Sequence, residues 1–301
     1  MDNFKRVAEL VLSGLGMIGN LLLMVAWWRT RADWHRLNLQ LVGPIAVIDC
    51  MSSFLGILKA ILSFAIGNEE LFDTTWFCSY FGTPILILPC LSMLLVSIMS
   101  LDRYCLVVHG RGMKCFWGWI FILLLSSFFI CLLVANTAVY GLVPDPTRMY
   151  CRPSGSSILT FFAHRLATCI IMIGLFVVTF CYIAIYLRCR MIATVYQIMT
   201  VKYIFILLAY QLCWLPKFIS SLWGLFTSTQ KIPQVLLHLG PFGLILLLIA
   251  NPCLVFGLQA SLRKEAYTIL SQQKPSAEDQ TCLDSDGFKD LSLIPQDSIV
   301  P

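Results

Sequence analysis

Seven stretches of this chain are each long and apolar enough to cross a lipid bilayer, and that repetition limits the folds open to it. A spanning helix needs about 20 consecutive, mostly apolar residues. Residues 7–28, 37–66, 76–108, 115–140, 158–188, 197–226 and 233–258 meet this requirement, with short connections between them. In lipid, only helices and closed barrels satisfy every backbone hydrogen bond. Barrel strands would be about 10 residues long with alternating polarity, and these runs do not alternate. The chain therefore reads as an all-α membrane protein, a seven-transmembrane helix bundle. Only 12% of the 301 residues are charged, against about 25% in soluble domains.

Lysine and arginine placement sets the orientation. The connections after spans 1, 3, 5 and 7 carry Arg29, Arg31 and Arg36; Arg111 and Lys114; Arg188 and Arg190; and Arg263 and Lys264. All four lie on one face of the bundle. On the other face, GNEELFD (67–73) is acidic, the connection after span 6 has only Lys231, and the one after span 4 has Arg148 and Arg152. The basic face is cytoplasmic by the positive-inside rule. The expectation is a multi-pass protein of the cell membrane with its N-terminus outside, although Lys5 and Arg6 run against the rule. No cleavable signal peptide is expected before span 1.

Four segments follow. Residues 1–6 are a short extracellular N-terminus, too short for docking a large protein hormone. Residues 7–260 hold the seven spans. Residues 261–270, SLRKEAYTIL, set basic residues beside Leu262, Ala266, Ile269 and Leu270, as a helix lying on the membrane surface would. Residues 271–301 are rich in Ser, Asp, Gln and Pro and are expected to be a disordered cytoplasmic tail.

Two cysteines stand apart from the rest. Cys78 opens span 3, twenty-five residues before Arg103. At 1.5 Å per residue that is roughly 37 Å, so the two sit at opposite membrane faces. Cys151 lies in the connection after span 4, on the outer side with Cys78. A disulfide is allowed there, and two free thiols are the alternative.

Polar residues inside a bilayer tend to face the bundle interior and mark function. Asn20, Asp49 and Asn251 are such residues. Ser92 lies eleven residues, three turns, before Arg103, on one stripe of span 3. In span 6, Tyr210, Trp214, Lys217 and Ser221 follow the i, i+4, i+7, i+11 spacing of one helix face. Pro216 and Pro252 interrupt the backbone ladder of spans 6 and 7. At the inner end of span 3, Asp102, Arg103 and Tyr104 follow a long uncharged run.

The set resembles the rhodopsin-like (class A) G-protein-coupled receptors. The marks are GN in span 1 (Gly19, Asn20), Asp49 in span 2, Cys78 and DRY (Asp102, Arg103, Tyr104) in span 3, and the partner cysteine Cys151. Tyr182 follows in span 5, CWLP (Cys213–Pro216) in span 6 and NP (Asn251, Pro252) in span 7. The resemblance covers roughly residues 7–270. It implies a signalling receptor rather than an enzyme, with a ligand between the helices and a heterotrimeric G protein at the cytoplasmic face. Asp102, Arg103, Tyr104, Tyr182, Asn251 and Pro252 would form the coupling switch, with Arg103 paired to Asp102 at rest. Tyr210, Cys213, Trp214 and Pro216 would form the activation toggle. Asn20, Asp49, Ser92 and Asn251, beside Trp214, would surround a sodium ion and its waters, with apolar Leu247 at one position of that network. No other cofactor is implied: span 7 has no lysine to carry retinal.

Several positions depart from the family pattern. Val255 stands where span 7 usually ends its motif in tyrosine, so Tyr182 lacks its usual partner. Gly174 replaces the proline of span 5, and Tyr210 replaces a phenylalanine. Tyr196 and Gln197 stand where many members have an acid. Span 4 lacks the expected mid-span tryptophan, because Trp117 and Trp119 lie near its start. Pro84 and Pro89 predict a distorted outer half of span 3.

The residues also bear on the ligand. Ile85 replaces the aspartate that holds amines in the family. Lys217 lies roughly 13 Å below the outer end of span 6. Lys59 is in the outer half of span 2, and His164 and Arg165 begin span 5. A pocket of Lys59, Ile85, Pro89, Arg165, Trp214, Lys217 and Ser221 suits an anionic amphiphile, a lipid acid or a small organic anion. The alternatives are that Lys59 and Arg165 snorkel to the interface and that Lys217 has an internal partner. Besides that ligand the expected partners are membrane lipid and the G protein, and no nucleic acid. Three other functions compete. A transporter would show inverted repeats with matching broken helices, which the sequence lacks. A membrane enzyme would show a metal-spaced cluster, whereas His35, His109, His164 and His238 are scattered. A decoy receptor that binds and couples weakly would fit Val255.

Overall fold

A computed structural model describes residues 2–30, 37–67, 71, 77–111, 113, 115–138, 142–144, 151–153, 158–190, 197–226, 233–258 and 260–271. The expectations for Arg31, His35, Arg36, Lys114, Arg148, Tyr196 and Lys231, and for the tail from 272 onward, lie outside the described residues.

Among these residues the chain forms eight α-helices: α1 (Asp2–Arg29), α2 (Leu37–Ala65), α3 (Thr83–His109), α4 (Cys115–Ala138), α5 (Ile158–Arg190), α6 (Gln197–Phe226), α7 (Gln234–Leu258) and α8 (Ala260–Ser271). Five helices have described stretches long and apolar enough to cross a membrane: Arg6–Arg29, Gln40–Ala65, Tyr80–His109, Thr168–Arg188 and His238–Gly257. Such runs of Leu, Ile, Val and Phe leave the backbone no solvent to bond, so the helix must satisfy its own carbonyls. Pro44, Pro89, Pro216, Pro241 and Pro252 all sit inside helices. Helix α1 begins at Asp2, within the six residues expected to precede span 1.

The helices close a ring in which α1 packs on α2, α2 on α3, α3 on α5, α5 on α6, α6 on α7 and α7 back on α1. Helix α4 leans on α3, and α8 packs beneath α1 and α7. Helix α1 shows how the ring selects its faces. Glu9, Ser13, Gly16, Asn20 and Leu23, spaced by three and four, are buried, while Val7, Val11, Leu15, Ile18 and Val25 are exposed. The polar stripe faces the bundle and the apolar stripe faces where lipid would lie, as a bilayer solvent requires.

A five-residue π-helical segment, Cys78–Gly82, precedes α3, and Pro84 sits in the first turn that follows. This is the distorted outer end that Pro84 and Pro89 predict. Cys78 is joined to Cys151 by a disulfide with a Cα–Cα distance of 5.4 Å, which removes the alternative of two free thiols. Cys151 belongs to a short antiparallel ladder in which Leu142–Pro144 pairs with Cys151–Pro153. Leu71 and Phe77 pack around the bridge.

Candidate functional site

Two polar centres lie on the axis of the bundle. The first joins four helices at mid-depth. Asn251 Nδ2 of α7 donates to Asp49 Oδ2 of α2 at 2.7 Å and to Ser92 Oγ of α3 at 3.2 Å. Asn20 Nδ2 of α1 donates to Gly16 O and across to Leu248 O of α7, both at 2.9 Å. Glycines let α1 come this close to α7. A Cβ on Gly19 would stand 3.0 Å from the Pro252 ring, and one on Gly16 would stand 2.9 Å from Leu248 Cβ. Asp49, Ser92 and Asn251 are therefore joined directly, while Asn20, also buried, ties α1 to α7 through Leu248 O. Asp49 Oδ1 and Asn20 Oδ1 are buried and accept no hydrogen bond among the described residues. Two unpaired oxygens, one on a carboxylate, are the donor type a hard cation takes. Leu247 is buried nearby and offers no oxygen.

Above this centre, Tyr210, Trp214, Lys217 and Ser221 are all buried, whereas Leu212, Leu215 and Trp223 of the same helix are exposed. The four-residue stripe is the inward face of α6. Cys213, three residues before Pro216, presents its carbonyl to α7 where Gly243 allows it: a Cβ on Gly243 would fall 2.2 Å from that oxygen.

The second centre is a cavity of about 70 Å³ towards the disulfide end of the bundle, lined by Lys59, Ile85, Pro89, Lys217 and Cys151 among others. Trp214, Ser221 and Arg165 are not among the residues lining it. The expected pocket is thus displaced towards α1, α2 and α7. Lys59 neither snorkels nor waits for a ligand. Its Nζ lies 2.5 Å from Glu9 Oε1 of α1, and both side chains are nearly buried. Glu9 also lines the cavity, and sequence reasoning missed it. An acid inside a bilayer-length apolar run was the available signal.

At the inner end of α3, Asp102 and Arg103 are both buried. Arg103 Nε has no hydrogen-bond partner among the described residues. Asp102 Oδ1 accepts the backbone N–H of Met113 at 2.7 Å. Gly110, left-handed at φ 68°, ends α3 by donating its N–H to Cys105 O, and the chain then turns back under the helix. Tyr104 stacks edge-on with His109 at 5.3 Å and meets Phe180 of α5 at 5.7 Å.

Tyr182 is buried and shares a cavity of about 20 Å³ with Tyr210, Asn251 and Val255. That volume holds about one water. The small cavity therefore lies beside the position where the family's tyrosine would stand. Gly174 lets α3 and α5 approach: Ser97 Oγ donates to Met93 O at 2.8 Å and to Gly174 O at 3.3 Å. A further link missed in the sequence joins α6 to α5, where Gln211 Nε2 donates to Thr179 Oγ1 at 2.5 Å. Among the described residues no cluster of three or more His, Cys, Asp or Glu side chains could hold a metal ion.

Residues 19–254 match the family described as 7 transmembrane receptor (rhodopsin family), a range well over half of the chain. No curated protein matches the chain.

Proposed function

The chain belongs to the rhodopsin family of seven-transmembrane receptors, and on that premise we propose that it is a plasma-membrane receptor for a small anionic amphiphile, coupled to a heterotrimeric G protein. Its N-terminus lies outside, its seven long helices all span, and α8 rests on the cytoplasmic surface. The observation that carries the ligand class is the cavity towards the disulfide end, where buried Lys217 lies with Ile85, Pro89, Leu244 and Leu248 and Lys59 is paired with Glu9. A cation in a largely apolar pocket suits a carboxylate head with a hydrocarbon tail.

Binding there can bias α6, because Lys217 lies on the same inward stripe as Trp214 and Tyr210. Outward movement of the inner end of α6 would open the cytoplasmic face to the G protein. Arg103 would meet the G protein there. A sodium ion held by Asp49 Oδ1, with Asn20 Oδ1 and Ser92 Oγ nearby, would stabilise the resting bundle. The unpaired oxygens support this, and Leu247 leaves the site one donor short of the family set.

A second reading, a receptor that binds but couples weakly, is favoured by one observation. Val255 leaves Tyr182 beside a cavity instead of a hydroxyl partner. GTP exchange on a panel of G-protein subtypes, driven by lipid acids and small organic anions, separates the two readings. Stimulation that disappears in Arg103→Ala supports coupling. Binding that depends on Lys217 without any exchange supports the decoy. A panel in which Lys217→Ala changes no response to any acid overturns the anionic ligand.

A further inference from the structure

In the cavity towards the disulfide end, α1 and α2 contribute Glu9, Ser13, Ser52 and Lys59 to the lining, and α7 contributes Leu244 and Leu248. The serines of these two helices are not alike. A serine inside a helix commonly donates its hydroxyl to the carbonyl four residues back. Ser52 Oγ does so to Ile48 O at 2.9 Å, and Ser53 Oγ to Asp49 O at 2.7 Å. Ser13 is fully buried, yet its Oγ has no hydrogen-bond partner among the described residues. The hydroxyl sits in the seam between α1 and α2. A Cβ on Gly56 would fall 2.5 Å from it, so the glycine leaves it room, and Gly56 lines the cavity too. A buried hydroxyl that bonds to nothing destabilises the structure that holds it. Glu9 stands one turn before Ser13 on the same face of α1 and accepts from Lys59 Nζ at 2.5 Å. A carboxylate has lone pairs for further donors.

We infer that Ser13 and Glu9 form a hydroxyl subsite in this cavity, and that the ligand it takes is a hydroxylated amphiphile. The inference rests on the reading of this cavity as the ligand site. A ligand hydroxyl accepts from Ser13 Oγ and donates to the Glu9 carboxylate at the same time. A methylene does neither, and a keto oxygen accepts without donating. A site built to bond a hydroxyl discriminates against the analogue that lacks it, because its own polar groups are then left unpaired. Ser13 is thus a specificity-determining residue.

The test uses the full-length receptor in nanodiscs, with empty nanodiscs subtracted. The probes are decanoate and a set of hydroxydecanoates that carries the hydroxyl at each tail carbon in turn. At least one of the set should bind wild type about tenfold more tightly than decanoate, the factor for a hydrogen bond gained in a buried site. A hydroxyl favours water over lipid, so partition into the bilayer cannot produce such a gain. Ser13→Ala should abolish the preference and leave decanoate at its wild-type Kd. Ser52→Ala removes a hydroxyl that Ile48 O already satisfies, and should keep the preference. A purely structural role for Ser13 would shift every probe alike. The keto analogue of the preferred isomer should bind wild type more weakly than the hydroxy acid, and this comparison decides the matter if Ser13→Ala does not fold. If decanoate binds in a Lys217-dependent way but no hydroxydecanoate is preferred, the inference falls and the receptor reading stands. The same holds if Ser13→Ala keeps the preference or the keto analogue binds as tightly as the hydroxy acid. If no probe binds wild type, the anionic-ligand reading falls and takes the inference with it.

Discussion

Asp102 holds the backbone N–H of Met113 at 2.7 Å, eleven residues along the chain and beyond the Gly110 turn. The acid of the DRY triplet therefore fastens the connection between α3 and α4. A hydrogen bond to a charged group contributes about 1.5–3 kcal/mol. Asp102→Ala should free the connection, raise basal GTP exchange and speed hydrogen exchange at the Met113 amide. Asp102→Asn keeps an acceptor oxygen and should lie between the two. Equal amide protection in wild type and Asp102→Ala would show that the bond does not hold the connection.

Val255 lines the cavity of about 20 Å³ beside Tyr182. A ring placed there exceeds the available space, and overpacking typically costs about 1–3 kcal/mol. Val255→Tyr and Val255→Phe should therefore both lower the melting temperature by a similar amount. Only the tyrosine carries a hydroxyl to Tyr182, so only Val255→Tyr should increase agonist-stimulated GTP exchange. A gain of the same size in Val255→Phe would assign the effect to shape alone.

How much of this was legible in the sequence follows from what helices conceal. The ends of the apolar runs mark the helix ends closely, because a spanning helix stops where its apolar residues stop. The inward stripe of α6 was also legible, since Tyr210, Trp214, Lys217 and Ser221 share one helical phase. The partners of single side chains were not. Lys59 reads as a free cation because its acid lies on another helix, and the register between α1 and α2 depends on the close fit of Gly56 and Ser13. Asp102 reads as the partner of Arg103 because they are adjacent in the chain. Its bond to the Met113 amide depends on where the chain goes after a left-handed glycine. Spacing fixes which face a residue occupies, and packing decides what it meets there.

Asp49 Oδ1 and Asn20 Oδ1 lie buried without hydrogen bonds among the described residues, so a cation that binds them should stabilise the folded receptor. Replacing potassium by sodium at constant ionic strength should raise the melting temperature. Saturation at about a hundred times the Kd would contribute about 2.7 kcal/mol. Asp49→Asn removes the charge but can still accept from Asn251, and should abolish the sodium response while the network persists. Leu247→Ser adds an oxygen at the apolar position and should lower the sodium concentration required. A melting temperature indifferent to sodium in wild type and in Leu247→Ser would rule out the site.

The contact of α6 with α7 depends on one missing methyl group. A Cβ on Gly243 would stand 2.2 Å from Cys213 O, a backbone atom that cannot rotate away, in the turn that Pro216 has already deprived of a hydrogen bond. Gly243→Ala must therefore move α7 away from α6, at a cost in the overpacking range of about 1–3 kcal/mol. Gly14 of α1 is a matched control, because a Cβ there would meet nothing within 4 Å. Gly14→Ala should be neutral or stabilise the helix by up to about 1 kcal/mol. Thermal unfolding of the two variants in the same detergent measures the difference. Since the added methyl presses on the α6 segment that carries Cys213 and Trp214, Gly243→Ala should also change basal GTP exchange, whereas Gly14→Ala should leave it at the wild-type level. Equal melting temperatures for the two variants would mean that α6 and α7 are not held together at this point.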